Sequence, residues 1–243
     1  MNVSYPQLEP RRGSGGSTWW GKAWTRSLEE AAYGEEELKQ GRRLARNGAV
    51  GAITVSSGGY LAAVQDRGDA WTVTGTVEPL DETSRHLFAE VVAGSSGRVA
   101  SLLRGDLPLP LVEDCEEVGV ELVPYAGELG WTCTCAHWVD PCPHGVAVAV
   151  QVGWLLQADA LVLLHLRGLA REELLAAVHA LATGGPTSDG PDGPDAPDAR
   201  AAGVDADVET EVETDVETDV ETGVDAALRA GALLDQWAQP PSA

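Results

Sequence analysis

The residues best suited to do chemistry are concentrated in one stretch, Trp131-Thr132-Cys133-Thr134-Cys135-Ala136-His137-Trp138-Val139-Asp140-Pro141-Cys142-Pro143-His144. Reduced to donors it reads C-x-C-x6-C-x-H. Zinc takes such donors in a tetrahedron, with sulfur at about 2.3 Å and imidazole nitrogen at about 2.0 Å. Side chains two apart on an extended chain point the same way, so Cys133 and Cys135 can reach one ion. A turn at Asp140-Pro141 can bring Cys142 back. Pro143 suits the first turn of a following helix, and His144 projects from that helix start. Helix amide dipoles at this end favour the thiolates that zinc requires. Three thiolates, one neutral imidazole and Zn2+ leave one net negative charge. All four places are filled by protein, as in a structural site; a catalytic zinc keeps one for water.

Two alternatives bear on this set. Buried free cysteines are common, but three of the chain's four cysteines and a histidine at these spacings between turn residues are hard to obtain by chance. His137 lies inside the same cluster; it could replace His144 or support the ligands from outside. Cys115, beside apolar Val112 and Val118, reads as a core thiol.

The elements that must position these donors can be read from periodicity and caps. Thr18 or Ser17 can cap a helix carrying Trp20, Trp24, Leu28 and Ala31 at helical spacing. A second helix is expected over 35–46, Glu-rich at its start and Arg-rich at its end, and stopped by Asn47-Gly48. Alternating runs at 51–56, 60–65 and 70–77, separated by short turn sequences, predict an antiparallel meander. Helices are expected at 81–93 and 96–104, a short apolar segment at 109–116, and strands at 119–123 and 129–133. The apolar stretches 144–157, 159–166 and 171–182 read as helices. The fold class is α+β. Trp19, on another helix face from Trp20, is expected to be exposed; Trp131, Trp138 and Trp154 bracket the cluster and read as core.

Charge narrows the function. The 243 residues carry 16 Lys+Arg against 38 Asp+Glu, a net charge of −22. That argues against a protein that coats nucleic acid or an anionic membrane with its whole surface. Residues 185–225 alone hold one Arg and fourteen acids, so the remainder is only moderately acidic. Lys39, Arg42, Arg43 and Arg46 form the one basic patch at helical spacing, a candidate for gripping phosphates; the competing reading is a solvated helix end. The start, MNVSYPQLEPRR, lacks the apolar segment of a secretory signal, and Gln151, Gln157, Asp159 and His165 interrupt the most apolar stretch, so a cytoplasmic chain without a span is expected. No Walker loop, G-x-S-x-G or H-E-x-x-H is present, and the chain reads as no enzyme and as having no small-molecule substrate.

The organisation expected is a flexible N-terminus at 1–17, an α+β part at 18–126, the zinc finger and its helices at 127–183, a disordered acidic linker at 184–223 and a short amphipathic segment at 224–243. Pro, Gly and Asp dominate the start of the linker, and Val208, Val212, Val216 and Val220 open V-E-T repeats. A four-residue period drifts by about 40° per step around a helix and makes a poor stripe. Leu228, Leu233, Leu234 and Trp237 could dock on the domain or on a partner.

The pattern Cys133, Cys135, Cys142, His144, followed by an apolar helix over 145–156, resembles the SWIM-type zinc finger. The segments Thr18–Trp24, Gly41–Val50 and Gly127–Gly130 extend the likeness to bacterial, mainly actinobacterial, SWIM-finger proteins, often encoded beside Snf-type helicases. The resemblance implies zinc as cofactor at those four residues and an adaptor that binds a protein partner of the helicase-type ATPase class. The contrasting reading is a nucleic-acid-binding module using the 39–46 patch with Arg11 and Arg12. Few basic residues lie near the finger, so DNA affinity is expected to be weak.

Overall fold

The computed structural model describes residues 2–11 and 18–183. The expectations for the acidic linker and the C-terminal segment fall outside these residues, as does Arg12. The described residues belong to a single unit. They build an antiparallel sheet of five strands in the order β1-β2-β3-β4-β5, with helices packed on its inner face and beyond its end. The α+β class read from the sequence is what the structure has.

Strands β2 (Val50–Ser56), β3 (Gly59–Asp66) and β4 (Asp69–Val77) are the expected meander. Alternation decides their faces: Tyr60, Ala62 and Val64 of β3 and Val73 and Val77 of β4 are buried, while Leu61, Gln65, Thr72, Thr74 and Thr76 face solvent. Two-residue turns close both hairpins. In the β3–β4 turn Arg67 and Gly68 both have positive φ (52° and 94°), the signature of a primed turn whose twist matches the strands.

Two strands come from elsewhere. β1 (Val3–Tyr5) pairs with β2, setting Ser4 opposite Thr54, and their hydroxyls lie 3.0 Å apart. This corrects the expectation of a flexible stretch through residue 17. Three residues are too few to show an alternating pattern, and only the open edge of β2 makes them a strand. β5 (Leu129–Cys133) returns after three helices to pair with β4, with Val77 opposite Leu129 and Val73 opposite Cys133.

The helices follow the periodicity closely. α1 (Trp19–Ala31) is capped by the Thr18 hydroxyl, which accepts from Gly21 N; α2 (Glu35–Arg46) spans the predicted range. α3 (Glu82–Ala93) starts on Asp81, whose carboxylate accepts from Ser84 N at 2.7 Å. α4 (Ser96–Leu103) and α5 (Leu109–Glu117) follow. The expected strand at 119–123 does not form. Val120 and Leu122 are buried, Gly119 and Glu121 exposed and Val123 half-buried, so the period-two pattern is real. However, no strand lies alongside among the described residues, and the Glu121 carbonyl instead accepts from Arg167 Nη2 at 2.9 Å.

α6 (Pro143–Ala158) is apolar nearly all round, as a helix enclosed by protein must be. It lies between the inner face of the sheet and the pair α1 and α2. Trp20 Nε1 donates to Leu156 O at 2.6 Å and Trp24 Nε1 to Ala149 O at 2.9 Å. Gln151 Nε2 donates to Ala45 O at 2.9 Å. Large aromatic area is buried here without orphaning the indole N–H groups. α7 (Leu161–Leu166) and α8 (Arg171–Ala182) complete the core with α3. None of the described helices is long and apolar enough to cross a membrane.

Two tryptophan expectations are corrected. Trp19 is half-buried, its Nε1 donating to Leu107 O at 2.8 Å, because the α4–α5 connection covers the second face of α1. Trp138, expected in the core, is 91% exposed, at the start of the bend over 138–141 that joins β5 to α6.

Candidate metal centre

β5 and α6 deliver the donors. Cys133 is the last residue of β5, held by its pairing opposite Val73. Beyond it Thr134 N donates to Thr72 O at 3.0 Å, and Thr72 N to Thr134 Oγ1 at 3.0 Å. Cys135 therefore sits just past the strand, in a bend rather than in extended chain. The chain bends again over 138–141 and enters α6 at its N-cap, which is Cys142. The Cys142 sulfur accepts from Gly145 N at 3.4 Å, doing what a Ser or Asp cap does. Pro143 occupies the first turn, where its missing N–H costs nothing, and His144 follows it inward.

One donor atom from each of Cys133, Cys135, Cys142 and His144 lies within 4.8 Å of all the others, and this group could hold a metal ion. His144 Nδ1 is 3.8 Å from Cys133 Sγ and 4.0 Å from Cys142 Sγ. The cluster is set into the protein: Cys142 and His144 are only 4% and 8% exposed. Burial pushes the Cys142 thiol up to about 12, against the Gly145 N–H, which lowers it. It also raises Cys133. Burial lowers His144, with Asp66 acting in the opposite direction. Without an ion, then, burial favours the uncharged Cys133 and Cys142 thiols and a neutral His144 imidazole. A divalent cation reverses the preference of the thiols, because it binds the thiolate, and suits the neutral imidazole as it stands.

The sequence left His137 and His144 open as the fourth donor; the geometry separates them. His137 Nδ1 accepts from Val139 N at 3.3 Å, and its Nε2 lies 3.8 Å from Glu37 Oε1 on α2. It is not in the group of four. Cys115 is fully buried in α5, the core thiol expected, and burial pushes it to about 11.

Three surroundings of the cluster were not legible beforehand. Asp66, at the end of β3, places Oδ2 3.5 Å from His144 Nε2. Trp71 of β4 stacks on the His144 ring, centroids 5.8 Å apart and planes 25° apart. Glu37 joins the loop to α2. Asp66 and Trp71 stand more than seventy residues before His144, and only the pairing of β5 with β4 brings the hairpin to it.

The basic patch is real but partly engaged within the protein. Arg42 pairs with Glu29 of α1, Lys39 lies 3.7 Å from Glu36, and Arg46 Nε donates to Arg42 O at 3.1 Å. Arg43 is exposed. Arg11 stacks over Trp154 at 4.9 Å from the ring centroid.

Comparison with known proteins adds one relative. The chain is 30% identical over 186 residues to "Uncharacterized protein Rv2102" of Mycobacterium tuberculosis (strain ATCC 25618 / H37Rv), over 73% of this chain and 65% of that protein. The match thus spans just under two thirds of the relative's length. No protein-family model matches the chain, and no solved structure does.

Proposed function

We propose that Cys133, Cys135, Cys142 and His144 hold a structural Zn2+ in a SWIM-type finger, and that the chain is a protein-interaction adaptor rather than an enzyme. The observation that carries the metal is the spacing of the donors. A tetrahedron with zinc–sulfur at about 2.3 Å and zinc–nitrogen at about 2.0 Å has sulfur–nitrogen edges of about 3.5 Å and sulfur–sulfur edges of about 3.8 Å. The two sulfur–nitrogen separations in the structure are 3.8 and 4.0 Å, wider than that edge by only a few tenths of an ångström. Three cysteines and a histidine form a soft, closed set of the kind zinc takes, with no position for water. The ion would join the end of β5 to the start of α6, so its binding free energy is also folding free energy.

Elemental analysis of the purified protein tests this: one zinc per chain is expected, lost or weakened in Cys133→Ser, Cys135→Ser, Cys142→Ser and His144→Ala, and retained in His137→Ala. Full zinc in His144→Ala with loss in His137→Ala would overturn the ligand set.

The adaptor reading rests on what surrounds the finger. Trp138 is 91% exposed in the loop between the ligand pairs, and Tyr33 is 94% exposed between α1 and α2. Contact between His137 and Glu37 ties the finger loop to α2. Exposed aromatics dominate binding energy when a partner covers them. A partner of the Snf-type helicase class is what the resemblance to SWIM-finger proteins suggests. Capture of such an ATPase from native cells, unchanged by nuclease and lost with Trp138→Ala plus Tyr33→Ala, is expected. Because Lys39 and Arg42 sit beside acids and Arg46 donates to its own helix, titration into duplex DNA should show only weak binding; submicromolar, salt-sensitive affinity would favour the nucleic-acid reading instead.

A further inference from the structure

We infer that Asp66 is the outer-sphere carboxylate of this metal centre: it accepts the Nε2 proton of His144 and so fixes the tautomer that presents Nδ1 to the ion. The inference rests on the metal reading above and adds a residue from a different part of the chain.

The orientation of the imidazole starts the argument. Nδ1 faces the sulfurs of Cys133 and Cys142, so it is the nitrogen that binds. A neutral ring carries one proton, and a metal on Nδ1 leaves it on Nε2. That nitrogen is buried and makes no hydrogen bond among the described residues. A buried N–H without an acceptor costs roughly 1–3 kcal/mol. Facing it, at 3.5 Å, is Asp66 Oδ2. The separation is long for a hydrogen bond, but the carboxylate is aimed at the one polar atom of the histidine that the sulfurs do not engage. Metal-bound histidines almost always donate their other ring N–H to such a group, which holds the ring and raises its basicity.

Two neighbours on the same hairpin support the assignment. Trp71 stacks on the imidazole, which restricts its plane. Arg67, next along the chain, places Nε 4.0 Å from Asp66 Oδ2. That cation matters because three thiolates and one imidazole on Zn2+ already carry a net negative charge, and an unaccompanied second one beside them would be repelled. Arg67 adopts φ of 52° at the turn, a left-handed conformation that non-glycine residues rarely take. The tight turn, the carboxylate and the stacking indole thus form one cradle for His144, built by residues 66–71. Asp66 stands outside the group of four donors, so its role is positioning and not ligation.

The test uses the full-length protein loaded with zinc and competed with a chromogenic chelator. Asp66→Asn and Asp66→Ala should weaken zinc binding by about 10–100-fold, with Asp66→Glu recovering part of it. Asp69→Ala, on the far side of the same turn, should not change it and controls for general damage to the hairpin. The cobalt-substituted Asp66 variants should keep the tetrahedral thiolate absorption, since no ligand has been removed. Nitrogen-15 NMR of the zinc-loaded wild type supplies a readout that needs no variant: His144 should carry its proton on Nε2, protected from solvent exchange, and Asp66→Asn should shorten that protection. Unchanged affinity in both Asp66→Asn and Asp66→Ala would overturn the assignment, as would an unprotected Nε2 proton or a proton found on Nδ1. A wild-type protein that binds no zinc would overturn the metal reading and this inference with it, whereas zinc held equally by wild type and variants defeats this inference alone.

Discussion

Two glycines beside the metal centre should respond in opposite directions to the same methyl group. Gly41 lies in the middle of α2, against the first turn of α6. A Cβ there would stand 2.5 Å from Val146 Cβ and Cγ1 and 2.7 Å from Pro143 O. The last of these is backbone of the turn that carries Cys142 and His144, so it cannot give way without moving ligands. Overpacking of this kind costs about 1–3 kcal/mol, against a gain of up to about 1 kcal/mol from replacing a helical glycine with alanine. A net loss of up to about 2 kcal/mol follows for Gly41→Ala, or up to about 8 °C in melting temperature for a domain of this size. Gly145 is the control. Its Cβ would meet Pro141 Cβ at 3.4 Å and Trp131 Cδ1 at 3.5 Å, ordinary contacts, and its N–H to Cys142 is kept. Gly145→Ala should therefore stabilise by about 0.5 kcal/mol. Thermal and urea unfolding of both variants, at equal zinc content, decides the matter. A Gly41→Ala protein that melts above the wild type, as an exposed helical site would, refutes the close approach of α2 and α6.

Three other outcomes are expected. Arg167 is 3% exposed and donates to the carbonyls of Glu78 and Glu121 and to the Glu128 carboxylate, so Arg167→Met should cost about 3–5 kcal/mol by leaving that carboxylate without its cation, with only the Tyr125 N–H still donating to it; a loss under about 1 kcal/mol in urea unfolding would mean the pair is hydrated. Cys115, at about 11, should react with iodoacetamide at pH 8 about two orders of magnitude more slowly than in the unfolded chain, as mass spectrometry would show. Because its folded value is raised, the stability it contributes is complete below the ordinary thiol range and is lost as pH climbs through about 11. Trp138→Ala should shift stability by no more than about 0.5 kcal/mol, since almost none of the ring is buried, and should leave bound zinc unchanged; a large loss of either would place the indole against the finger.

Local information was enough for much of this molecule. The cap at Thr18, the 3.6-residue spacing of Trp20, Trp24 and Leu28, and the alternation of β2 to β4 each depend on neighbours within a few residues, and each formed where expected. The donor set was legible for the same reason: Cys133 to His144 span a single strand–bend–helix unit, and ligand chemistry constrains their spacing. What the sequence could not decide is what lies across from each element. Three residues at the N-terminus become β1 because β2 has an open edge, whereas 119–123 alternates just as a strand should and finds no partner. The choice between His137 and His144 depended on which ring the start of α6 turns inward, and the exposure of Trp138 on the course of its loop. The roles of Asp66 and Trp71 arise only when β5 pairs with β4 after some fifty residues of intervening chain. Hydrogen-bond ladders join residues without regard to their separation in sequence, and so the cradle around His144 belongs to the tertiary structure alone.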